Sequence, residues 1–393
     1  MRRLKKSWID EYCAYIQPAS EAPPNYLFWS AATAIAACLK RSVWVDRKSW
    51  KLYPNIYTVL VGRPGIGKGS AINPIVNIVK EAGTANLVGD RITIEFLLEK
   101  LSKGFPATSM NGTGMVTFGK DSSCLISAAE LQVFATASQF TLPIMADLWD
   151  CREHPFDYGT KTQGKFIIDK PTVSLLGGST TEWLVQSIPH SAVGGGFTRR
   201  VNFVYAKARD KHLPWPSVRT GTIVQDLVED LRVLSQLKGE MKFAKDAEAV
   251  FEDIYNTSDA GDFDDEATAA YKSSMWAHAT KLAMVLSTAE RDDLVITKDH
   301  ITVAVAAVRE IVKDIGMVFR AVGESSMVHA VDKVLQFIEL KGYCTRADIQ
   351  RALWRHVSSS DLDVILNTLC TGGLVDYKQQ GNKVIYEVVV KNP

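Results

Sequence analysis

Apolar residues in the first half of the chain form short continuous runs that alternate with segments of helical periodicity. Two helices are predicted first, at residues 4–17 and in the alanine-rich segment 26–40, followed by a short apolar run at 43–45. The next predicted elements are a strand at 56–61, helices at 69–82 and 93–102, a strand at 123–127 and a strand that begins at Thr172. Alternating strands and helices predict an α/β fold built on a parallel sheet.

The pattern changes at Thr222, where long helical periods replace the strand signals. Helices are predicted near 267–289 and 298–320, and residues 321–327 are predicted to be a linker. This change predicts that a separate helical domain follows the α/β core.

The last part of the chain has a different order of elements. A helix at 328–341, a second helix that begins near Thr345 and a third helix at 361–371 come before two alternating runs around a Gln-Gly-Asn turn. Three helices followed by a hairpin is the element order of a winged helix. Residues 326–393 carry eight Lys and Arg against seven Asp and Glu, which leaves DNA docking and protein docking both open.

A glycine-rich turn directly after the strand at 56–61 fits the pattern G-x-x-x-x-G-K of a phosphate-binding loop. Its glycines let backbone amides face a polyphosphate, the helix after it presents a positive N-terminal end, and Lys68 is expected to reach the β- and γ-phosphates. We predict that ATP binds here. The predicted nucleotide-binding residues are Gly62, Pro64, Gly65, Gly67, Lys68, Gly69 and Ser70.

The loop departs from the usual pattern at Gly69, where most such loops place a Ser or Thr hydroxyl on Mg²⁺. Its sequence resembles the loop of adenylate kinases, so a nucleoside monophosphate kinase is an alternative. Those enzymes open with the loop, whereas here it begins only at Gly62.

Hydrolysis requires a carboxylate that orients the attacking water, and Glu130 follows the strand at 123–127. Ala129 occupies the place of the second acid that usually precedes it. Mg²⁺ is therefore predicted to be held through Ser70 and, by way of water, Glu130. Lys68, Glu130 and Arg200 are the predicted catalytic residues.

Polar side chains elsewhere are candidates for sensing the nucleotide. Ser179 and Thr180 end the strand that begins at Thr172, and Lys281 lies in a later helix, where it is a candidate second sensor. Arg199 and Arg200 follow a glycine run and head another apolar strand. An arginine in that position can reach a neighbouring subunit's γ-phosphate.

A predicted hairpin at 156–168 carries Lys161 and Lys165 near its tip. Lysines in this position are suited to bind the phosphates of single-stranded DNA in a central pore. A plain surface turn is the alternative interpretation.

The segments at 25–32, 52–55, 62–70, 174–183 and 195–205 resemble those of a family of P-loop ATPases from phages and prophages, often encoded with a primase. The segment at 195–205 is also similar to the finger region of minichromosome-maintenance helicases, with Arg200 in the finger's place. The resemblance implies a ring-forming, DNA-dependent ATPase of a phage replication module. We predict a replicative helicase of a phage or mobile element, expected to be a hexamer, that acts on single-stranded DNA with a primase or other replication proteins.

The expected fold is an α/β P-loop NTPase core, with the parallel sheet of AAA+ or RecA-like proteins, flanked by helical and winged-helix domains. The predicted domains are an N-terminal helical collar at 1–48, the ATPase core at 49–210, a helical lid at 211–322 and a winged helix at 326–393.

Composition adds few constraints. The formal net charge of the 393 residues is +1, so any nucleic-acid surface must be local. Two alternatives to a helicase therefore remain. One is a helicase loader or replication initiator, and the other is a nucleotide-gated assembly protein. None of the six cysteines forms a C-x-x-C motif, and no apolar run reaches the length of a membrane span. A cytoplasmic location is expected.

Overall fold

In the computed structural model, the chain forms seventeen strands and fourteen α-helices within the residues that the structure describes. Those residues are 3–4, 6–89, 91–111, 114–135, 141–160, 164–188, 196–217, 222–257, 266–354, 357–380 and 383–389. Two units are distinguished, one ending at Phe319 and one beginning at Arg320.

The strands are β1 (Val43–Asp46), β2 (Lys51–Leu52), β3 (Tyr57–Val61), β4 (Leu87–Gly89), β5 (Phe105–Asn111), β6 (Gly114–Asp121), β7 (Ser123–Ala128), β8 (Phe156–Thr160), β9 (Gly164–Ile168), β10 (Thr172–Ser179), β11 (Asn202–Tyr205), β12 (Gly239–Glu240), β13 (Lys242–Phe243), β14 (Val295–Ile296), β15 (Tyr343–Thr345), β16 (Val375–Gln380) and β17 (Lys383–Val388).

The helices are α1 (Trp8–Ile16), α2 (Pro24–Leu39), α3 (Lys68–Ala82), α4 (Ile94–Lys103), α5 (Leu131–Ala135), α6 (Thr141–Trp149), α7 (Thr181–Ser187), α8 (Ile223–Leu234), α9 (Lys245–Thr257), α10 (Glu266–Ser273), α11 (Met275–Glu290), α12 (Lys298–Lys341), α13 (Arg346–Leu353) and α14 (Ser359–Thr371). Single 3₁₀ turns occur at Gln17–Ala19 and Thr198–Arg200.

Five parallel strands form the central sheet in the order β11-β3-β10-β7-β4, which confirms the predicted α/β class. The three inner strands are almost entirely buried, as expected for a parallel sheet that is covered on both faces. The register pairs Ser179 with Val61 and Gly177 with Ala128, so these strands end close to the same level.

Helix α2 packs against the sheet with nearly every side chain buried. Its alanines allow close approach, and its few polar groups bond to the sheet: Tyr26 Oη donates to the Val61 carbonyl at 2.6 Å, and the Thr33 and Thr58 hydroxyls lie 2.8 Å apart. The segment predicted as an N-terminal collar therefore contributes directly to the core of the first unit.

The predicted hairpin at 156–168 is present as the antiparallel pair β8 and β9. A second hairpin, β5 and β6, occupies residues that the sequence pattern did not assign to strands. The prediction of a linker at 321–327 is wrong, because these residues lie within the continuous helix α12. These residues contain one glycine, Gly323, and no proline, so the local sequence does not force the helix to end there.

The second unit combines the end of α12 with α13, α14 and a three-stranded antiparallel sheet of order β15-β17-β16. The two shorter helices begin at predicted positions, since Thr345 and Asp348 form a capping box and Ser358 Oγ accepts from the Asp361 amide. Its small core is aliphatic and includes Val334, Ile338, Ile349, Leu362, Ile365 and Leu369.

Candidate functional site

The glycine-rich loop between β3 and α3 has a conformation that depends on its glycines. A Cβ atom on Gly62 would lie 2.8 Å from Tyr26 Oη and 2.9 Å from the Ala206 carbonyl oxygen. Gly67 has φ of +100°, and a Cβ there would lie 2.9 Å from the Cα of Ala22. The loop is therefore tightly packed against its neighbours, and it leads directly into the N-terminus of a helix of 15 residues.

Lys68 is the first residue of that helix, and its ammonium group turns back over the loop. Its Nζ donates to the carbonyl oxygens of Gly62 at 2.5 Å and Arg63 at 3.0 Å. Burial lowers the pKa of Lys68, whereas the nearby carboxylates of Glu182 and Glu130 act to raise it. The ammonium is thus held by neutral oxygens, which a phosphate can replace.

A cavity of about 800 Å³, here called the loop cavity, opens at this edge of the sheet. It brings together most of the nucleotide-site residues that the sequence predicted, which are Pro64, Gly65, Gly67, Lys68, Gly69, Ser70, Glu130, Ser179 and Thr180. They meet because β3, β7 and β10 are parallel, so the residues that follow them lie at one edge. Gly62 contributes the carbonyl that holds Lys68.

Close packing joins the three strand ends. The Gly62 amide donates to the Ser179 carbonyl at 3.2 Å. A Cβ on Gly178 would lie 2.6 Å from the Ala129 carbonyl oxygen and 3.6 Å from Cβ of Lys68, so only glycine fits between the loop and the strand that leads to Glu130. Backbone contacts therefore fix the position of the glycine-rich loop relative to the segment that carries Glu130.

The two predicted sensor hydroxyls at the end of β10 have different surroundings. Thr180 Oγ1 accepts from the Trp183 amide at 3.2 Å and caps helix α7. Ser179 Oγ donates only a long bond to the Thr180 carbonyl, also at 3.2 Å. Ser179 is consequently the hydroxyl that can turn towards a ligand at lower cost to the fold.

The residues near Gly69 are compatible with Mg²⁺ held mainly by phosphates and waters. Ser70 and Glu130 both line the loop cavity, and Mg²⁺ commonly takes only one or two protein oxygens in nucleotide sites. A Cβ on Gly69 would lie 3.9 Å from Asn73 Nδ2, so the missing hydroxyl leaves space there. Among the described residues, no group of three or more His, Cys, Asp and Glu side chains could hold a metal alone.

Arg209 is a cavity residue that the sequence analysis missed. Its Nη1 donates to Glu21 Oε2 at 2.5 Å, and its Nη2 lies 3.4 Å from the Cβ position of Gly65. Glu21 also accepts from the Leu213 amide at 2.7 Å, and these contacts lower the pKa of Glu21, the amide most strongly. The signal was present in the sequence, since Arg209 follows β11 and so belongs to the same edge of the sheet.

The predicted finger and second-sensor residues lie elsewhere. Arg199 and Arg200 precede β11 and Lys281 bonds to Asn55 before β3, which places all three at the opposite edge of the sheet. A strand of five residues separates the two edges by roughly 16 Å. The structure therefore does not bring these cations to this chain's own Lys68.

These three cations line a second cavity of about 420 Å³, here called the basal cavity. Arg200 donates Nε and Nη2 to the two carboxylate oxygens of Asp150, both at 2.9 Å, and Nη1 to the Gly196 carbonyl at 2.6 Å. Lys281 is buried, with its Nζ 2.5 Å from Asn55 Oδ1 and 3.9 Å from the centre of the Trp149 ring. A finger role for Arg200 in a ring would require its pair with Asp150 to open.

Of the two hairpin lysines, Lys161 lies outside the described residues. Lys165 is exposed on β9 and forms an ion pair with Asp157 at 2.6 Å. Phosphates of a bound strand would have to compete with that carboxylate.

Comparison of the sequence with protein-family models gives no match, and comparison with curated proteins gives none either. The functional assignment therefore depends on the geometry of the site.

No helix within the described residues combines the length and the apolar character that crossing a membrane requires.

Proposed function

We propose that this chain binds ATP with Mg²⁺ in the loop cavity and hydrolyses it. The observation that carries the proposal is the convergence of the glycine-rich loop, Lys68, Glu130 and Ser179 on one cavity. Helix α3 directs its free backbone amides at that space, and an anion is favoured at a helix N-terminus.

In this proposal Lys68 exchanges its two carbonyl partners for β- and γ-phosphate oxygens. Glu130 accepts a proton from the water that attacks the γ-phosphorus, while the bond to the bridging oxygen of ADP breaks. Ser179 contacts the γ-phosphate, and Ser70 supplies a hydroxyl to Mg²⁺. Arg209 adds a second cation from the same chain, and Glu21 holds it beside Gly65.

We further propose that hydrolysis drives movement along single-stranded DNA in a homo-oligomeric ring, as the resemblance to phage ATPases and replicative helicases implies. The β8–β9 hairpin supports this assignment by presenting Lys165 on an exposed strand. A loader or initiator would use the same ATP site without unwinding, and strand separation assays distinguish the two.

We propose that the second unit is a winged helix that docks a protein, which its order of helices and strands and its sheet order β15-β17-β16 support. Helix α14, the last helix before the hairpin, contains no Lys or Arg and carries Asp361 and Asp363. An acidic helix is unsuited to a phosphate backbone. DNA contact is therefore assigned to the first unit.

The first test replaces Lys68 with Ala. We expect ATP affinity to fall roughly a hundredfold, since charge-assisted bonds to two phosphates contribute about 3 kcal/mol. Lys80→Ala, in the last turn of the same helix, is the matched control and should bind ATP normally. Calorimetric titration of both folded variants measures the difference. Undiminished ATP binding by Lys68→Ala would remove the basis of the assignment.

The wild type and the Lys80→Ala control also test the kinase alternative. A monophosphate kinase must hold its acceptor beside the γ-phosphate, whereas the basal cavity lies across the sheet from Lys68. We expect ATP consumption to release inorganic phosphate and AMP to remain unphosphorylated. Stoichiometric conversion of AMP to ADP would favour the kinase instead.

A further inference from the structure

The basal cavity has an excess of cationic side chains that the ATP site does not use. Five of its lining residues are cations and two are carboxylates. The cations are Lys51, Arg152, Arg199, Arg200 and Lys281, and the carboxylates are Asp150 and Glu153.

Existing contacts neutralise part of this charge, and one of them pairs Arg152 with Asp147, which does not line the cavity. Asp150 is engaged by Arg200, and Glu153 accepts from Arg41 and from the hydroxyl of Tyr53. Within the described part of the chain, the buried Nε of Arg199 has no hydrogen-bond partner. Lys281 bonds to an amide oxygen rather than to a carboxylate. Cations that are buried without anionic partners are costly, so an anion entering the cavity would relieve that cost.

The directions in which the pKa values of Lys281 and Arg199 are shifted agree with this excess of positive charge. Burial lowers the pKa of Lys281 to about 8, and burial followed by the charge of Arg200 lowers the pKa of Arg199. Both shifts mean that the surroundings disfavour the positive charge in the absence of an anion.

Aromatic side chains line the basal cavity together with the cations. Trp50, Trp149 and Trp276 line it, and Trp50 is 42% exposed with its ring edge-on to Trp276 at 5.8 Å between centroids. Nucleic-acid bases stack on exposed aromatic side chains, and neighbouring arginines add cation–π contacts and bind the phosphate. The cavity volume of about 420 Å³ is in the range of small-ligand sites.

We infer that the basal cavity binds one nucleoside phosphate unit, with the phosphate at Arg199 and Lys281 and the base against Trp50. Two kinds of ligand present such a unit with the same chemistry: a free mononucleotide and one nucleotide of a single DNA strand. This site is distinct from the loop cavity and goes beyond the proposed ATPase activity.

The test uses the full chain carrying Lys68→Ala, so that binding at the loop cavity does not contribute. Thymidine 5′-monophosphate is titrated by calorimetry, beside thymidine and inorganic phosphate. We expect one site for the monophosphate and at least tenfold weaker binding of either part alone. No saturable binding of the monophosphate, or equal binding of inorganic phosphate, would overturn the inference.

Variants locate the site. Arg199→Gln and Trp50→Ala should each weaken monophosphate binding about tenfold, because the first removes a contact to the phosphate and the second removes the ring on which the base stacks. Arg291→Gln, on an exposed arginine outside the cavity, is the matched control and should bind normally. Arg199→Lys keeps the charge and should retain most of the affinity. Unchanged affinity in folded Arg199→Gln and Trp50→Ala would overturn the assignment, and if Arg199→Gln does not fold, Trp50→Ala decides.

A 5′-phosphorylated oligothymidylate separates the two sources. Affinity equal to that of the monophosphate identifies the free nucleotide as the ligand, whereas much tighter binding that depends on Trp50 identifies a single strand. An oligonucleotide that binds without displacing the monophosphate would contradict a shared site. None of these measurements uses ATP, so failure here leaves the loop-cavity proposal independently testable.

Discussion

At the scale of single residues, the partners of each cation indicate which one is available to a ligand. Lys68 is held by two carbonyl oxygens, whereas Arg200 is held by both oxygens of a carboxylate. Exchanging a neutral carbonyl for a phosphate gains a charge-assisted bond, but opening a bidentate pair first loses one. Lys68 is therefore prepared for a nucleotide in a way that Arg200 is not.

Arg209 lies between these two cases, because it is exposed and paired with one oxygen of Glu21. We expect Arg209→Ala to weaken ATP binding about tenfold and leave the fold intact, since a surface pair contributes little to stability. Lys211→Ala, two residues further along the same segment, is the matched control. Calorimetry with ATP measures both. Normal ATP affinity in folded Arg209→Ala would mean that this guanidinium serves only to hold Glu21.

At the scale of elements, the Arg200–Asp150 pair joins the segment after α6 to the start of β11. Only 10% of the Arg200 side chain and 26% of the Asp150 side chain are exposed. Removing one member of such a pair leaves the other partly buried and uncompensated. We expect Arg200→Ala to lower the free energy of unfolding by about 3 kcal/mol, measured by urea denaturation.

Arg152→Ala is the control for that measurement. Arg152 pairs with Asp147 while both side chains are about half exposed, so its loss should cost under about 1 kcal/mol. If Arg200→Ala were as stable as Arg152→Ala, the pair would not brace this edge of the sheet, and a finger role for Arg200 would become easier.

Helix α11 is hydrogen-bonded to the segment before β11 through His278, a histidine that is neutral in the folded protein. His278 Nε2 donates to the Arg199 carbonyl at 2.9 Å, and burial lowers the pKa of His278 to about 3. As pH falls below 6.5, the imidazole of His278 is protonated in the unfolded chain but stays neutral in the folded protein. The free energy of unfolding therefore decreases in that range.

His278→Gln keeps a donor but does not titrate. Between pH 7 and pH 5 the wild type should lose about 2 kcal/mol more unfolding free energy than this variant. Urea denaturation at the two pH values gives the comparison. Parallel losses in both proteins would show that His278 is not the titrating group.

At the scale of the whole molecule, local patterns predicted the elements that depend on local signals. The apolar run before Gly62, which was predicted to be a strand, is β3, and the helix predicted at 93–102 is α4, with Thr93 as its cap. The parallel class then follows from alternation, and Glu130, Ser179 and Lys68 line the same cavity because parallel strands end at one edge of the sheet.

What the sequence could not supply are contacts between distant residues. The Glu21–Arg209 and Asp150–Arg200 pairs join positions far apart in the chain, and their residue types fit solvent-exposed surfaces equally well. Lys281 was predicted to be a sensor because it is a lysine in the helical region, but burial against Trp149 and Asn55 is a tertiary outcome. The continuity of α12 through 321–327 likewise has no strong local signal.

The central claim is that the loop cavity hydrolyses ATP, and Glu130→Gln tests it most directly. The variant should bind MgATP within about threefold of the wild type while phosphate release falls at least a hundredfold, roughly the contribution of a general base. Glu182→Gln is the matched control, because Glu182 also acts electrostatically on Lys68. It should keep turnover within tenfold of the wild type. Absence of turnover in the wild type, or normal turnover in Glu130→Gln, would contradict the account.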